Sequence, residues 1–266
     1  MPDDNRLHIE DSAKLNGGGT YRPRIAILGA GFSGMGMAIR LRQVGFDNFT
    51  IYEKAADVGG TWRENIYPGV ACDVPSHLYS FSFEPNPHWS RRYSPGAEIW
   101  EYMRHCARKY DLYRSIEFDK TVTGIRHDGR QWHVDFTDGS SVSADFVVSG
   151  LGSAPHRSRT FLSSRARANF ADRSSTRRNG GTTSILRATA VAVIGSAASA
   201  IQVIPEIARK VAHLDVYQRT ANWVMARQSY AYPRWLQGLF EKFPLLAGSI
   251  SRLPNGVSRP SKKKTA

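Results

Sequence analysis

The stretch that most constrains the fold is Arg24–Gly45, RIAILGAGFSGMGMAIRLRQVG. A short apolar run, Ile25 to Leu28, leads into glycines at 29, 31 and 34, and an apolar pattern of helical period follows. That order reads as a strand, a tight turn and a helix start. Gly29 permits the turn, and Gly31 lets backbone N–H groups approach a pyrophosphate with no Cβ in the way. Gly34 lets the helix lie close to the strand, and the helix dipole favours phosphate charge. A glycine-rich structural turn is the alternative. Against it, a second strand pattern, NFTIYE, ends in Glu53, nineteen residues after Gly34. An acid there accepts the hydroxyls of an adenosine ribose.

The grammar recurs in ATAVAVIGSAASAIQVIPEIARKV. Gly195 takes the first glycine position, with Ala197 and Ala200 at the other two. The next strand pattern, HLDVYQRT, reaches Arg219 twenty-four residues after Gly195, the same offset as Glu53 from Gly29. An acid at that place suits a free ribose hydroxyl, as in FAD, whereas Arg suits the 2′-phosphate of NADPH. A solvated Arg at a strand end is the plainer reading.

Between the two motifs, Pro95 to Leu112 reads as an amphipathic helix with Ile99, Tyr102, Met103, Cys106 and Tyr110 on one face. Cys106 is therefore expected in the core, and not as a nucleophile. Three strand patterns follow, EFDKTVTGIRHD, QWHVDFTD and SVSADFVVSG, with turns at Asp128-Gly129 and Asp138-Gly139. His127 and His133 read as strand residues facing solvent, since no Cys or acid stands at metal-ligand spacing.

The net charge of +13 over 266 residues looks like a nucleic-acid signal until it is located. Ser153 to Ala190 holds eight Arg against one Asp, and Ser251 to Ala266 holds five basic residues and no acid. Twelve of the thirteen charges sit in those two pieces, which lack periodicity and interleaved aromatics, so no nucleic-acid partner is expected. Two cysteines, Cys72 and Cys106, imply no disulfide framework and fit a reducing cytoplasm. No apolar run is long enough for a transmembrane segment. The polar start reads as a disordered lead-in and not a secretory signal.

The run GGTWRENIYPGVACDVPSHLYSFSFEPNPHWSRRYSPGAEIWEYM, which begins at Gly59, resembles the flavin-binding region of class B flavoprotein monooxygenases, in their Baeyer–Villiger branch. The resemblance implies that Gly60, Thr61 and Trp62 lie along the flavin, with Asp73 near the flavin–nicotinamide meeting point and Tyr79 close by. It also implies that the β-insert passes the adenine near Val122, and that Gln218, Arg219 and Thr220 match the Gln-Arg-Thr of the family's NADPH domain. Ser196 and Ser199 join Gly195 as candidates for the second nucleotide. Taken singly, Trp62, Tyr67 and Tyr79 also read as core aromatics, and Asp73 as a capping residue.

The expected fold class is α/β, with two Rossmann-like dinucleotide-binding domains, incomplete as written. The boundaries expected are a disordered lead-in over 1–20, an FAD-binding part over 21–152, an Arg/Ser-rich linker over 153–188, the start of an NADPH-binding domain over 189–250 and a basic disordered tail over 251–266. The activity implied is insertion of one oxygen atom from O2 into a small-molecule ketone, with FAD and NADPH as cofactors and a flavin C4a-peroxide as the reactive species. Asp73 is the catalytic-site candidate. The family's active-site Arg, and the C-terminal stretch that completes its FAD domain, are expected to be absent from this chain.

The family also carries a linker fingerprint, F-x-G-x-x-x-H-x-x-x-W, which is not found here. Codons for residues 169 to 183, read one base out of register, permit F-R-G-P-V-F-H-S-A-E-W-R-H-D. Two compensating frameshifts, near Gly152–Ala154 and Ala188–Val191, are the expectation that follows. An inactive truncated remnant with partial nucleotide binding is the alternative to an active enzyme.

Overall fold

The computed structural model describes residues 22–152, 189–220, 223–224 and 227–243. The lead-in, the Arg/Ser-rich linker on which the frameshift expectation falls, and the basic tail lie outside the described residues. The chain forms two units, one from residues 1–57 and 111–155, the other from 58–110 and 156–266. The expected FAD-binding segment 21–152 contributes to both.

In the first unit, β1 (Ile25–Leu28) runs into α1 (Phe32–Gln43), and β2 (Phe49–Tyr52) returns parallel to β1, with Ile25 opposite Phe49. A two-residue β3 (Ile116–Glu117) adds outside β2, and β7 (Phe146–Ser149) adds on the other side of β1. The four-stranded order β3-β2-β1-β7 is the nucleotide-binding half of a doubly wound sheet. Its two central strands, β1 and β2, are apolar and largely buried, as strands of a parallel sheet covered on both faces are. Met35, Ala38 and Ile39, at helical spacing on α1, are buried together with Ile27 and Ile51. Each large aliphatic side chain so buried contributes about 1.5–3 kcal/mol.

The other face of this unit's core is closed by an antiparallel sheet of β4 (Val122–His127), β5 (Trp132–Phe136) and β6 (Ser141–Ala144). Val134, Phe136 and Ala144 join Ala26, Leu28 and Tyr52 in one buried cluster, with Tyr52 and Phe136 ring centroids 5.0 Å apart.

Two of the three strand expectations are corrected. EFDKTVTGIRHD divides into β3 and β4, separated at Asp119, whose φ is +59°. SVSADFVVSG divides at Asp145 into β6, antiparallel to β5, and β7, parallel to β1. The Asp145 carboxylate accepts the Arg24 N–H at 2.6 Å, and the N–H groups of Asp145 and Phe146 donate to the Arg24 carbonyl. This local network anchors the point at which the chain passes from one sheet to the other.

The second unit holds the one-turn helix α2 (Thr61–Glu64) and the long helix α3 (Gly96–Lys109). Ile99, Tyr102, Met103 and Cys106 are buried on one face of α3, as the periodicity predicts. Tyr110 caps that helix half-buried, its hydroxyl donating to Glu84 at 2.8 Å. Beyond residue 189, β8 (Ala190–Ile194), α4 (Ala198–Ala208) and β9 (His213–Tyr217) form a strand–helix–strand unit with parallel pairing. A last helix, α5 (Arg234–Lys242), buries Phe240 against His77 and Tyr232. No helix among the described residues is long and apolar enough to cross a membrane.

Candidate functional site

The first glycine turn has the geometry its residue types predict. Gly29 adopts φ +93° and donates its N–H to the Tyr52 carbonyl at 2.8 Å, which ties the turn to the end of β2. A Cβ on Gly34 would stand 1.9 Å from the Gly29 carbonyl oxygen, so α1 can lie this close to the turn only with glycine there. Gly31 differs: a Cβ built on it meets nothing within 4 Å. It is the N-cap of α1, in extended conformation, and the first turn carries neither an acid nor a side-chain cap. Among these three glycines, Gly31 is the one for which the fold itself does not demand the missing side chain.

Glu53 stands directly after β2 and is only 4% exposed. One carboxylate oxygen accepts the Ala30 N–H at 2.7 Å and the other accepts the Ala55 N–H at 3.1 Å. The acid is therefore fixed against the glycine turn, and each oxygen keeps a lone pair for a further donor. Gly150, which the strand pattern does not single out, closes the turn from β7. Its N–H donates to the Leu28 carbonyl at 2.8 Å, and a Cβ on it would lie 2.9 Å from the Gly34 nitrogen. A Gly at the end of an apolar strand beside a glycine turn is the signal that marks it. Val122 opens β4, opposite Phe136, and packs on the cluster that holds Tyr52.

In the second unit, Gly60 (φ +49°) is the N-cap of α2, and the exposed Thr61 begins that helix. The Trp62 indole N–H donates to the Tyr79 hydroxyl at 3.2 Å, and the two rings meet edge-on at 5.3 Å. Burial pushes the Tyr79 hydroxyl up from its ordinary pKa, so it stays a neutral donor and acceptor. Asp73 is exposed and accepts a hydrogen bond from Gln202 at 2.6 Å, with Arg227 at 3.8 Å.

The second glycine turn repeats the first in its backbone. Gly195 adopts φ +108° and donates its N–H to the Tyr217 carbonyl at 2.8 Å. Ala197, the N-cap of α4, is extended, and the first helical turn carries no acid. Ser196 reaches the Thr220 carbonyl at 3.5 Å, and Ser199 is half-buried one turn into the motif. The strand register corrects the offset drawn from sequence. Leu28 pairs with Tyr52 and Ile194 pairs with Tyr217, so the residue equivalent to Glu53 is Gln218. Arg219 lies one place further on, because the second crossover is one residue shorter. Gln218, Arg219 and Thr220 are all exposed.

Neither cysteine is an activated thiol: burial raises the pKa of Cys72 and pushes Cys106 up to about 11. His133 is half-buried and hydrogen-bonds Asp128 at 2.7 Å, while His127 is exposed. Among the described residues no group of His, Cys, Asp and Glu could hold a metal ion.

Residues 27–94 match the family model of the NAD(P)-binding Rossmann-like domain. Residues 74–233, more than half of the chain, match that of L-lysine 6-monooxygenase/L-ornithine 5-monooxygenase. A Baeyer–Villiger monooxygenase of Pseudomonas aeruginosa is 44% identical over 225 residues, covering 84% of this chain and 42% of that protein. A steroid monooxygenase solved with NADP superposes with a TM-score of 0.73 at 31% identity, over 83% of this chain and 43% of that one. OTEMO, solved with FAD and NADP, superposes with a TM-score of 0.75 at 25% identity, over 85% of this chain and 44% of that one. The chain thus spans less than half the length of the relatives it matches. Two glycine turns in one chain, the acid fixed behind the first, and these matches converge on one family: the chain belongs to the class B flavoprotein monooxygenases.

Proposed function

We propose that the chain provides the FAD- and NADPH-binding portion of a Baeyer–Villiger monooxygenase, which inserts one oxygen atom of O2 into a ketone. The observation that carries this reading is the contrast between Gly34 and Gly31: a Cβ is barred by the fold at the first and meets nothing at the second. A glycine kept where the protein leaves open space is suited to a bound pyrophosphate. In this reading Gly29, Gly31 and Gly34 receive the FAD pyrophosphate, Glu53 binds its ribose, and Val122 lies near its adenine. Gly60, Thr61, Trp62 and Tyr79 lie along the flavin ring, and Asp73 sits where the nicotinamide meets it. Gly195, Ser196 and Ser199 receive the NADPH pyrophosphate, and Gln218, Arg219 and Thr220 its ribose and 2′-phosphate. Bound flavin and nicotinamide supply the hydride transfer and the oxygen chemistry. The protein's part is to orient them, exclude water and set the local charge. The domain division at 21–152 and 189–250, and a cytoplasmic location, belong to the same proposal.

The test is the purified chain supplied with FAD and NADPH in air. Retained yellow flavin and NADPH oxidation support the reading. Colourless protein with no NADPH oxidation overturns it.

A second reading, a remnant with partial nucleotide binding, is favoured by one feature. The apolar strands β8 and β9 leave Ile194 70% exposed and Tyr217 58% exposed, where a complete parallel sheet would cover them. It predicts flavin binding without NADP+ binding.

A further inference from the structure

One side chain in the second unit uses its whole hydrogen-bonding capacity on the loop that carries Asp73. The Gln202 Oε1 accepts the Tyr67 hydroxyl at 2.9 Å and the Ala71 N–H at 3.3 Å. Its Nε2 donates to the Ala71 carbonyl at 3.0 Å and to the Asp73 carboxylate at 2.6 Å. Two lone pairs and two hydrogens are thus spent on four partners, which fixes the amide orientation. A flipped amide would aim donors at a donor and an oxygen at a carboxylate.

The backbone is fitted as tightly as the side chain. Gly69, at φ +80°, lies against α4, where a Cβ would stand 2.5 Å from the Gln202 carbonyl oxygen and 2.7 Å from the Glu206 Cγ. Any movement of α4 must therefore carry the 67–73 loop with it. Arg227 completes the arrangement: it donates to the Cys72 carbonyl at 3.0 Å, lies over the Tyr93 ring at 5.3 Å and stands 3.8 Å from Asp73. Gln202 is itself about one helical turn from Ala198, where α4 opens toward the second glycine turn.

We propose that Gln202 is a positioning residue: its carboxamide sets the Asp73 carboxylate and couples dinucleotide occupancy at the start of α4 to the 67–73 loop. The coupling arm rests on the reading of Gly195–Ser199 as the NADPH site; the positioning arm does not. A bound pyrophosphate would restrain the first turn of α4, and the Gln202 network and the Gly69 contact would carry that restraint to Asp73. Helix and loop then order as one element, so a ligand that favours the ordered helix also favours the ordered loop.

The experiment is amide hydrogen exchange on the full chain, with and without NADP+, for the wild type, Gln202→Leu and Gln202→Glu. Without nucleotide, Gln202→Leu removes the acceptor of the Ala71 N–H, and Ala71 protection is expected to fall by about tenfold. Gln202→Glu keeps the acceptor oxygen but turns a second oxygen toward Asp73 and the Ala71 carbonyl. At pH 8 it is expected to lose protection as Gln202→Leu does. Near pH 5, where the glutamate takes up a proton and can donate again, protection is expected to return within about threefold of wild type. A purely space-filling role would give no such return, and because it is read within one variant, a folding defect cannot imitate it. NADP+ is expected to raise protection across 70–73 in the wild type and not in Gln202→Leu.

Wild-type Ala71 exchange in Gln202→Leu, or a pH-independent Gln202→Glu, overturns the positioning role. An NADP+ response that survives in Gln202→Leu overturns the coupling. A wild type that does not bind NADP+ overturns the coupling together with the nucleotide reading, while the exchange without nucleotide still decides the positioning role.

Discussion

At the scale of single residues, the three glycines of the first turn separate what the fold needs from what a ligand needs. Gly34→Ala forces a Cβ to within 1.9 Å of the Gly29 carbonyl oxygen, a clash with backbone that no rotamer relieves. It is expected to cost about 3 kcal/mol or more, read as a lowered denaturation midpoint. Gly31→Ala meets nothing within 4 Å and leaves a helix N-cap in an ordinary extended conformation. Its stability is expected to stay within about 1 kcal/mol of wild type, while FAD affinity falls at least tenfold in equilibrium dialysis. Equal effects on folding from the two substitutions would remove the case for Gly31 as a ligand position. His77 gives a second residue-scale prediction. It lies against Phe240 and Tyr232 in the core of the second unit, and burial lowers its pKa from the ordinary 6.5 to about 4. The unfolded chain therefore takes up a proton on this imidazole first. The stability held above pH 6.5 is lost as pH falls towards 4. A His77→Phe variant, followed by urea denaturation between pH 7 and pH 4.5, is expected to lose less stability over that interval than the wild type.

At the scale of elements, what could be read from sequence depended on whether a pattern named its own partner. β1, β2 and α1 were legible because glycines, apolar run and acid each restrict the same turn, and the structure places Ile25–Leu28 and Phe49–Tyr52 in register there. SVSADFVVSG reads as one strand because alternation says which face is apolar and not which sheet receives it. The Arg24 backbone, more than a hundred residues away, is what holds Asp145 at the break. The Arg219 offset failed for a related reason: counting from a glycine assumes crossovers of equal length, and the register puts Gln218 at the place of Glu53. Gln202 left a faint signal, one amide within the apolar ASAIQVIPEIA, but its partners at 67–73 cannot be found by spacing. The β8–β9 pair carries an element-scale prediction. Two parallel strands with exposed apolar side chains have, among the described residues, no further strand beside them to slow opening as a wider sheet would. Amides of Val191 and Val193 are expected to exchange at least a hundredfold faster than those of Ile27 and Ile51. Equal protection in the two sheets would mean that β8 and β9 are covered in solution.

At the scale of the whole molecule, charge and apolar surface act against each other. Twelve of the thirteen net positive charges belong to residues 153–190 and 251–266, so the rest of the chain is close to neutral. Apolar side chains are exposed at the same time, among them Ile194, Val216, Tyr217 and Trp235. Contiguous exposed apolar surface drives association, whereas a large net charge keeps molecules apart until salt screens it. The screening length falls from about 30 Å at 0.01 M salt to about 3 Å at 1 M. Below the first value the repulsion between two chains of charge +13 reaches well beyond contact; at the second it is confined to it. The chain is therefore expected to be monodisperse in light scattering at 0.01 M sodium chloride and to associate progressively as salt rises. Substituting Ile194→Thr and Val216→Thr, which lightens the apolar surface without touching the charge, is expected to shift the onset of association to higher salt and to lower the fluorescence of a bound apolar dye. A nucleic-acid-binding role for the basic segments predicts a different pattern, tight retention of oligonucleotide at low salt that weakens linearly in the logarithm of salt concentration. Association that salt dissolves, or a double variant indistinguishable from wild type, would place the driving force in charge and not in the uncovered strands.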